Sequence, residues 1–358
     1  MTYYISIKTA VIIFPILAFL ITGPYILFQY HKYSSISPLK TIIIYSFIFY
    51  LLCAYFLVIL PLPSVESIKN NPNFMIEWIP FHFIVDFLKE TPLILSDPST
   101  YLKAILHPSF YVVLLNILLF VPFGMFLRYY KHYSLKKVIF YSFFLSLFFE
   151  FTQLTRLYGL YPKPYRLCDI DDLILNTFGG VVGYLWLEDL EPRIPSKEKL
   201  DELSYQKGEK VSFLRRITLF FLDLFLYSIA TIFSKGLHPV IIFILYFTVI
   251  PLLFKNRTLG SAFLNIKITK EKNSILYYLR PYFIYFYYLI LPYIILSITS
   301  STTSNITNIN LKLMIILALI IILFLFYIIN IFLLFIHKEP FYDKIFNTKL
   351  ENTMKKTV

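Results

Sequence analysis

Charge is scarce in this sequence. Asp, Glu, Lys and Arg make up 15% of its 358 residues, 58% are hydrophobic, and the mean hydropathy is +0.69. Such a composition excludes an ordinary water-soluble domain and points to a membrane protein. Cysteine is almost missing. Cys53 lies in an apolar run and Cys168 beside Asp169, so no disulfide framework is expected. Cys53 reads as a small core residue. Cys168 either pairs, reacts, or is a neutral side chain in a turn. None of the six histidines pairs at metal-ligand spacing, which argues against zinc. Alternation of apolar and polar residues is absent, so a transmembrane β-barrel is not indicated, and no internal repeat is visible. No small-residue cleavage site follows the apolar part of the N-terminus. Residues 1–28 therefore read as a first transmembrane helix and not as a removed signal.

What the sequence does have is long apolar runs. Crossing hydrocarbon takes about 20 apolar residues in a helix, because every backbone group must be satisfied within its own segment. Nine runs qualify as expected spans: 9–28, 41–60, 111–127, 138–154, 173–187, 217–233, 239–254, 276–297 and 313–336. The expected fold is an all-α integral membrane protein, a polytopic helical bundle of about nine spans. The formal net charge of +12 would suit nucleic acid. However, the Lys and Arg residues sit mostly in short loops, where they fix orientation, so no nucleic-acid partner is expected. His31, Lys32 and Lys40, then Arg128, Lys131, Lys136 and Lys137, then Lys255, Arg257, Lys267, Lys270 and Lys272 mark one side, whereas 300–310 carries no charge. The positive-inside rule then gives an outside N-terminus and a cytoplasmic C-terminus.

Composition changes abruptly at 188–216, a mixed-charge stretch containing proline. The expected division is a first transmembrane domain at 1–187, a charged cytoplasmic linker at 188–213 and a second transmembrane domain at 214–358. The loop at 61–108 holds seven prolines, Pro61, Pro63, Pro72, Pro80, Pro92, Pro98 and Pro108, around the amphipathic stretch FMIEWIPFHFIVDFLKE. Trp78, Phe81, Phe83 and Phe87 suit a piece lying in the membrane interface and roofing an outer site, or else a greasy patch on an exposed loop.

Several polar residues stand where a bilayer disfavours them: Asn116 and Glu150 inside apolar runs, then Arg166, Asp169, Asp171, Asp172 and Asn176 at the lip of another. Each is costly in hydrocarbon, so function is the default explanation. Glu150, Gln153 and Arg156 fall on one helical face. Three readings of Glu150 stay open. It contributes to binding a zwitterionic or phosphorylated headgroup with Arg156 or Arg166 as clamp, or acts as a general base, or pairs with an arginine to lock helices together. Of the three aspartates, at least one should cap a helix. Asp169 and Asp172 are the better functional candidates, and a divalent cation shared with Glu150 is conceivable. Gly179, Gly180 and Gly183 read as a close-packing face, and Pro122 with Gly124 as a kink that re-aims the helix of Asn116.

The ordered set N-x-x-L-F-x-P-x-G (Asn116 to Gly124), E-x-x-Q (Glu150 to Gln153) and R-x-x-D-x-x-D-x-x-x-N-x-x-G (Arg166 to Gly179), with the upstream Ile79-Pro80-Phe81, resembles the VanZ family. The resemblance implies a role at the outer face of a bacterial cytoplasmic membrane, lowering susceptibility to teicoplanin-type lipoglycopeptides. On the residues themselves, the expected partner of the polar cluster is a membrane lipid, a lipid-linked headgroup or the lipid-anchored antibiotic, with no cofactor. The expected binding residues are Asn116, Glu150, Gln153, Arg166, Asp169, Asp172 and Asn176. In the second half, Arg216-x6-Asp223, the stretch RTLGSAFLNIKI at 257–268, Arg280 and Asp343-x4-Thr348 resemble the RDD domain. That family's arginine and two aspartates carry onto Arg216, Asp223 and Asp343. Its usual Gly-Lys is here Gly260-Ser261, a departure that leaves no lysine role there. Asp223 inside an apolar helix reads either as an ion or proton site, as proposed for some RDD proteins, or as a structural partner of Arg280. An enzyme acting on a lipid-linked envelope precursor, with Glu150 as candidate catalytic residue, and a cation or proton transporter are the rival functions.

Overall fold

The computed structural model describes residues 2–69, 76–164, 166–234, 236–270, 275–304, 306, 308–337 and 340–354. Pro72, the Phe74-Met75 head of the amphipathic stretch, Lys272 and two residues of the 300–310 run lie outside them. The chain divides into two compact units, Met1–Gly23 with Ser37–Asp201, and Pro24–Ile36 with Glu202–Val358. The division near 201 falls within the charged stretch. The strip Pro24–Ile36 joins the second unit, which a single cut in the sequence does not express.

Helix α1 (Thr2–Tyr33) starts in the first unit and ends in the second. The first unit continues with α2 (Pro38–Ile59), opened by a proline whose missing N–H is no loss in a first turn. The proline-rich loop is broken into short pieces: α3 (Val65–Lys69), β1 (Ile76–Glu77), α4 (His82–Glu90) and α5 (Tyr101–Ile105). Then follow α6 (Pro108–Lys131), α7 (Leu135–Leu154), the single turn α8 (Arg156–Gly159), β2 (Cys168–Asp169) and α9 (Ile170–Leu190). The charged stretch holds a helix, α10 (Lys197–Gly208), with Leu200 and Ser204 buried.

Helix α9 packs along α6, and the fit depends on glycine. A Cβ on Gly179 would collide with the Ile117 carbonyl, one on Gly183 with the Val121 carbonyl, and one on Gly124 with the Gly180 carbonyl. The two backbones touch, the close approach expected of small residues on a membrane helix. Gly124 therefore serves contact, and α6 runs helical through Pro122. Ala54, Phe120, Phe123, Leu127, Val138 and Phe149 form the apolar core beside this seam.

The second unit contains α11 (Phe213–Phe233), α12 (Pro239–Ile244), a π-helical turn at Leu245–Val249, α13 (Ile250–Leu253), α14 (Leu259–Phe263) and β3 (Ile266–Lys270). These lead into α15 (Arg280–Tyr285), a second π turn at Phe286–Ile290, α16 (Leu291–Ser304), α17 (Ile309–His337), α18 (Phe341–Ile345) and β4 (Thr348–Asn352). β3 and β4 pair antiparallel from Ile266↔Asn352 to Lys270↔Thr348. Tyr30, Leu219, Leu264, Ile266 and Leu350 make a core beneath that ribbon.

Seven helices among the described residues are long and apolar enough to cross a membrane: Tyr4–Tyr33, Pro38–Ile59, Pro108–Lys131, Leu135–Leu154, Phe213–Phe233, Tyr277–Ser304 and Ile309–Leu333. The protein is a multi-pass membrane protein. The two other expected spans are also helical. One is α9, whose 21 residues include Asp171, Asp172, Glu188 and Asp189, and the other is the shorter apolar piece Pro239–Leu253.

Candidate functional site

In the first unit, α6, α7 and α9 bring most of the suspected polar residues together. Asn116 Nδ2 donates to Asp172 Oδ1 at 2.5 Å. Glu150 is 3% exposed, and its Oε2 accepts the Asp169 backbone N–H at 3.3 Å. Ser146 Oγ donates to the Asp172 carbonyl and accepts from Asn176 Nδ2 at 2.9 Å. Asn176 Oδ1 is enclosed with no hydrogen-bond partner among the described residues. Asp169 caps α9, accepting the Asp171 N–H at 2.8 Å, and burial pushes its carboxyl above the usual aspartate range. The result is a buried cluster rich in acceptors, with carboxylates from α7 and α9 near one another.

The guanidiniums of Arg166 and Arg156 both hydrogen-bond backbone carbonyls. Arg166 Nη1 donates to the Val58 carbonyl at 2.6 Å and Nη2 to the Leu60 carbonyl at 3.0 Å, closing the end of α2. Gln153 Nε2 donates to the same Val58 carbonyl at 3.1 Å. Among the described residues no hydrogen bond or ion pair joins Arg166 to Asp172. Arg156 departs from the face of Glu150 and Gln153. Helix α7 ends at Leu154, Arg156, Leu157 and Tyr158 take left-handed φ values, and the Arg156 guanidinium reaches the Pro162 carbonyl. The helical spacing argument fails there because the helix stops two residues earlier. Among the described residues no ion pair joins Glu150 to an arginine, and no group of three or more His, Cys, Asp or Glu gathers as metal ligands would.

Asp171 has a role that sequence reasoning missed. Its Oδ1 accepts the Phe81 N–H at 2.5 Å and its Oδ2 the Phe83 N–H at 3.0 Å, which satisfies the start of α4. Phe81 itself is left-handed there, with φ 64°. β1 also pairs in parallel with β2, Ile76 opposite Cys168 and Glu77 opposite Asp169. The proline-rich loop is thus fastened to the acidic lip at two points, while Trp78, Ile79 and Leu88 on it stay exposed. The one sequence signal was the Ile79-Pro80-Phe81 string, without any hint of its partner. Cys53 and Cys168 are free. Burial, with Glu150 beside it, pushes the Cys168 thiol up to about 11, so it is protonated and unreactive at neutral pH.

In the second unit, the residues carried over by resemblance separate into two centres. Asp343 Oδ2 pairs with Arg216 Nη1 at 2.5 Å, and its Oδ1 with Arg280 Nε at 2.8 Å and Nη2 at 2.7 Å. Asp223 instead accepts from Tyr246 Oη at 2.8 Å, Thr258 Oγ1 at 2.8 Å and the Gly260 N–H at 3.1 Å. Asp223 therefore does not form the expected hydrogen-bonded pair with Arg280, whose guanidinium is drawn to Asp343. Arg215, the neighbour left out of the sequence reading, is fully buried. It donates to the Gly208, Leu264 and Asn265 carbonyls and to Asn352 Oδ1, tying α11 to β4. Two arginines just inside an apolar helix were the available signal.

Compared with known proteins, residues 47–188 match the family model described as VanZ/LLP1, so this part of the chain is VanZ-like. No curated protein and no solved structure matches the chain.

Proposed function

We propose that the chain lowers susceptibility to teicoplanin-type lipoglycopeptides from the outer face of a bacterial cytoplasmic membrane, by holding an amine-bearing lipid, lipid-linked headgroup or the lipid-anchored antibiotic at the α6–α7–α9 cluster. The carrying observation is the acceptor excess within the VanZ-like stretch. Glu150, Asp172 and the unpartnered Asn176 Oδ1 face inward, and the nearby guanidinium of Arg166 is spent on backbone carbonyls. Buried acceptors seek donors, and an ammonium group supplies three. Glu150, Asp169 and Asp172 would carry the charge contact, Asn116 and Asn176 would orient it, and Arg166 and Gln153 would hold α2 alongside.

The topology belongs to the same proposal: nine spans, N-terminus outside and C-terminus cytoplasmic. Arg215, at the start of α11, meets the carbonyls of Leu264 and Asn265. The chain between therefore returns to the end from which α11 departs, which supports Pro239–Leu253 as a short crossing. An RDD-like second half remains part of this reading on the residues given above.

The test is the teicoplanin and vancomycin inhibitory concentrations of a susceptible Gram-positive host expressing the intact chain, Glu150→Gln or Asp223→Asn at matched membrane levels. Teicoplanin protection from the intact chain, kept by Asp223→Asn and lost in Glu150→Gln, is the expected pattern. An intact chain that gives no protection overturns the proposal.

A further inference from the structure

The second unit encloses a cavity of about 350 Å³, walled by α11, the Tyr277–Ser304 helix, α17 and the C-terminal α18 and β4. That volume lies within the range of small-ligand pockets. Its walls are apolar and aromatic, including Phe220, Ile284, Tyr285 and Tyr288. Several wall residues also lie on outward faces of candidate spans: Phe221 is 62% exposed, Tyr327 38% and Leu289 37%. In a membrane these faces meet acyl chains, so the cavity is approached sideways from the hydrocarbon.

Two guanidiniums stand in its wall. Arg216 and Arg280 both line the cavity and share one carboxylate, Asp343, so the triad carries one surplus positive charge. Asp223, the acid on the wall itself, balances that surplus overall, but its oxygens are already taken by Tyr246, Thr258 and the Gly260 N–H. The Arg216 side chain is 9% exposed. Its Nη1 bonds Asp343, but its Nε has no partner among the described residues. A buried donor of this kind costs free energy unless an acceptor reaches it. A guanidinium edge matches the paired oxygens of a carboxylate or phosphate.

We propose that this cavity binds a membrane amphiphile, its acyl chain along the aromatic walls and its anionic oxygen headgroup on Arg216 Nε. The occupant is a single-chain lipid such as a fatty acid or a lysophosphatidic acid, the two sharing tail and anionic oxygens. This site is separate from the acceptor-rich cluster of the first unit and calls for the opposite charge.

The test uses the full-length chain in nanodiscs of neutral phospholipid, with cis-parinaric acid as fluorescent probe and lysophosphatidic acid or monoolein as competitor. The expected result is saturable binding of one probe per chain, displaced by the anionic competitor and poorly by monoolein. Arg216→Gln should weaken binding about tenfold or more, the loss of one charge-assisted hydrogen bond. Leu289→Trp, at the lipid-facing wall and away from the charges, should weaken it with an unchanged melting temperature. Preference for lysophosphatidic acid over parinarate identifies a phosphate headgroup, and the reverse a carboxylate; either supports the proposal. Probe uptake no greater than in protein-free nanodiscs, equal displacement by monoolein, or unchanged affinity in both variants overturns it.

Discussion

At the residue scale, burial and partner choice determine what each charged side chain does. Asp171 sits between Asp169 and Asp172 yet faces another element, where it satisfies two N–H groups at the start of α4. Asp171→Ala should destabilise the first unit by about 1–3 kcal/mol, the cost of leaving such donors unmet. Limited proteolysis should then cleave near residues 78–90 faster than in the parent. Cys168 gives a pH readout of its surroundings. Its folded-state value, raised from 9.0 to about 11, means the thiol form is favoured by folding. The associated stability is complete below about pH 9 and is lost as pH climbs through 11. In a Cys53→Ser background, maleimide labelling should stay slow at pH 8 and accelerate toward pH 11. Removing the neighbouring carboxylate with Glu150→Gln should shift that profile to lower pH, and an unshifted profile would contradict the Glu150–Cys168 proximity.

At the element scale, the seam between α6 and α9 rests on missing side chains. A methyl group at Gly179 or Gly183 meets α6 backbone, which cannot step aside as a flexible side chain would. Gly183→Ala should therefore cost about 1–3 kcal/mol by overpacking, read as a lower melting temperature in detergent. Gly23, where nothing lies within 4 Å of an added Cβ, is the control and should accept alanine. The glycine spacing was legible in the sequence because close helix approach is a property of one face. The end of α7 was not, because three consecutive left-handed residues after Leu154 carry no glycine signal before Gly159. That single local event moved Arg156 out of the cluster in which helical periodicity had placed it.

For the whole molecule, the consequence of the division is that the second unit needs a piece of the first helix. Tyr30 lies in the core with Leu219, Leu264 and Leu350, and Asn265 Nδ2 donates to the His31 carbonyl at 2.7 Å. A fragment beginning at Glu202 should fail to accumulate as a folded species, and co-expression of a segment containing residues 2–36 should rescue it. Folding of the 202–358 fragment alone, by size exclusion and thermal melting, would refute this. Topology is open to a direct check. Reporter fusions at 200 and 262 should be cytoplasmic and those at 236 and 303 external if Pro239–Leu253 crosses. If it does not, 236 and 262 report the same side.

The sequence by itself determined that this is a helical membrane protein, where its apolar runs lie and which polar residues are out of place in them. Those properties follow from composition and periodicity, which act along a single element. It also carried the VanZ-like motif order, whereas the structure set Asn116, Asp172, Asn176 and Glu150 in one cluster. Only the tertiary structure decided who pairs with whom, since that depends on chain segments far apart: Asp171 with the proline-rich loop, Arg166 with the end of α2, Asp343 with both Arg216 and Arg280, and Asp223 with Thr258 and Gly260. A buried charge takes the partner that packing delivers to it, and packing is not written at any fixed spacing in the chain.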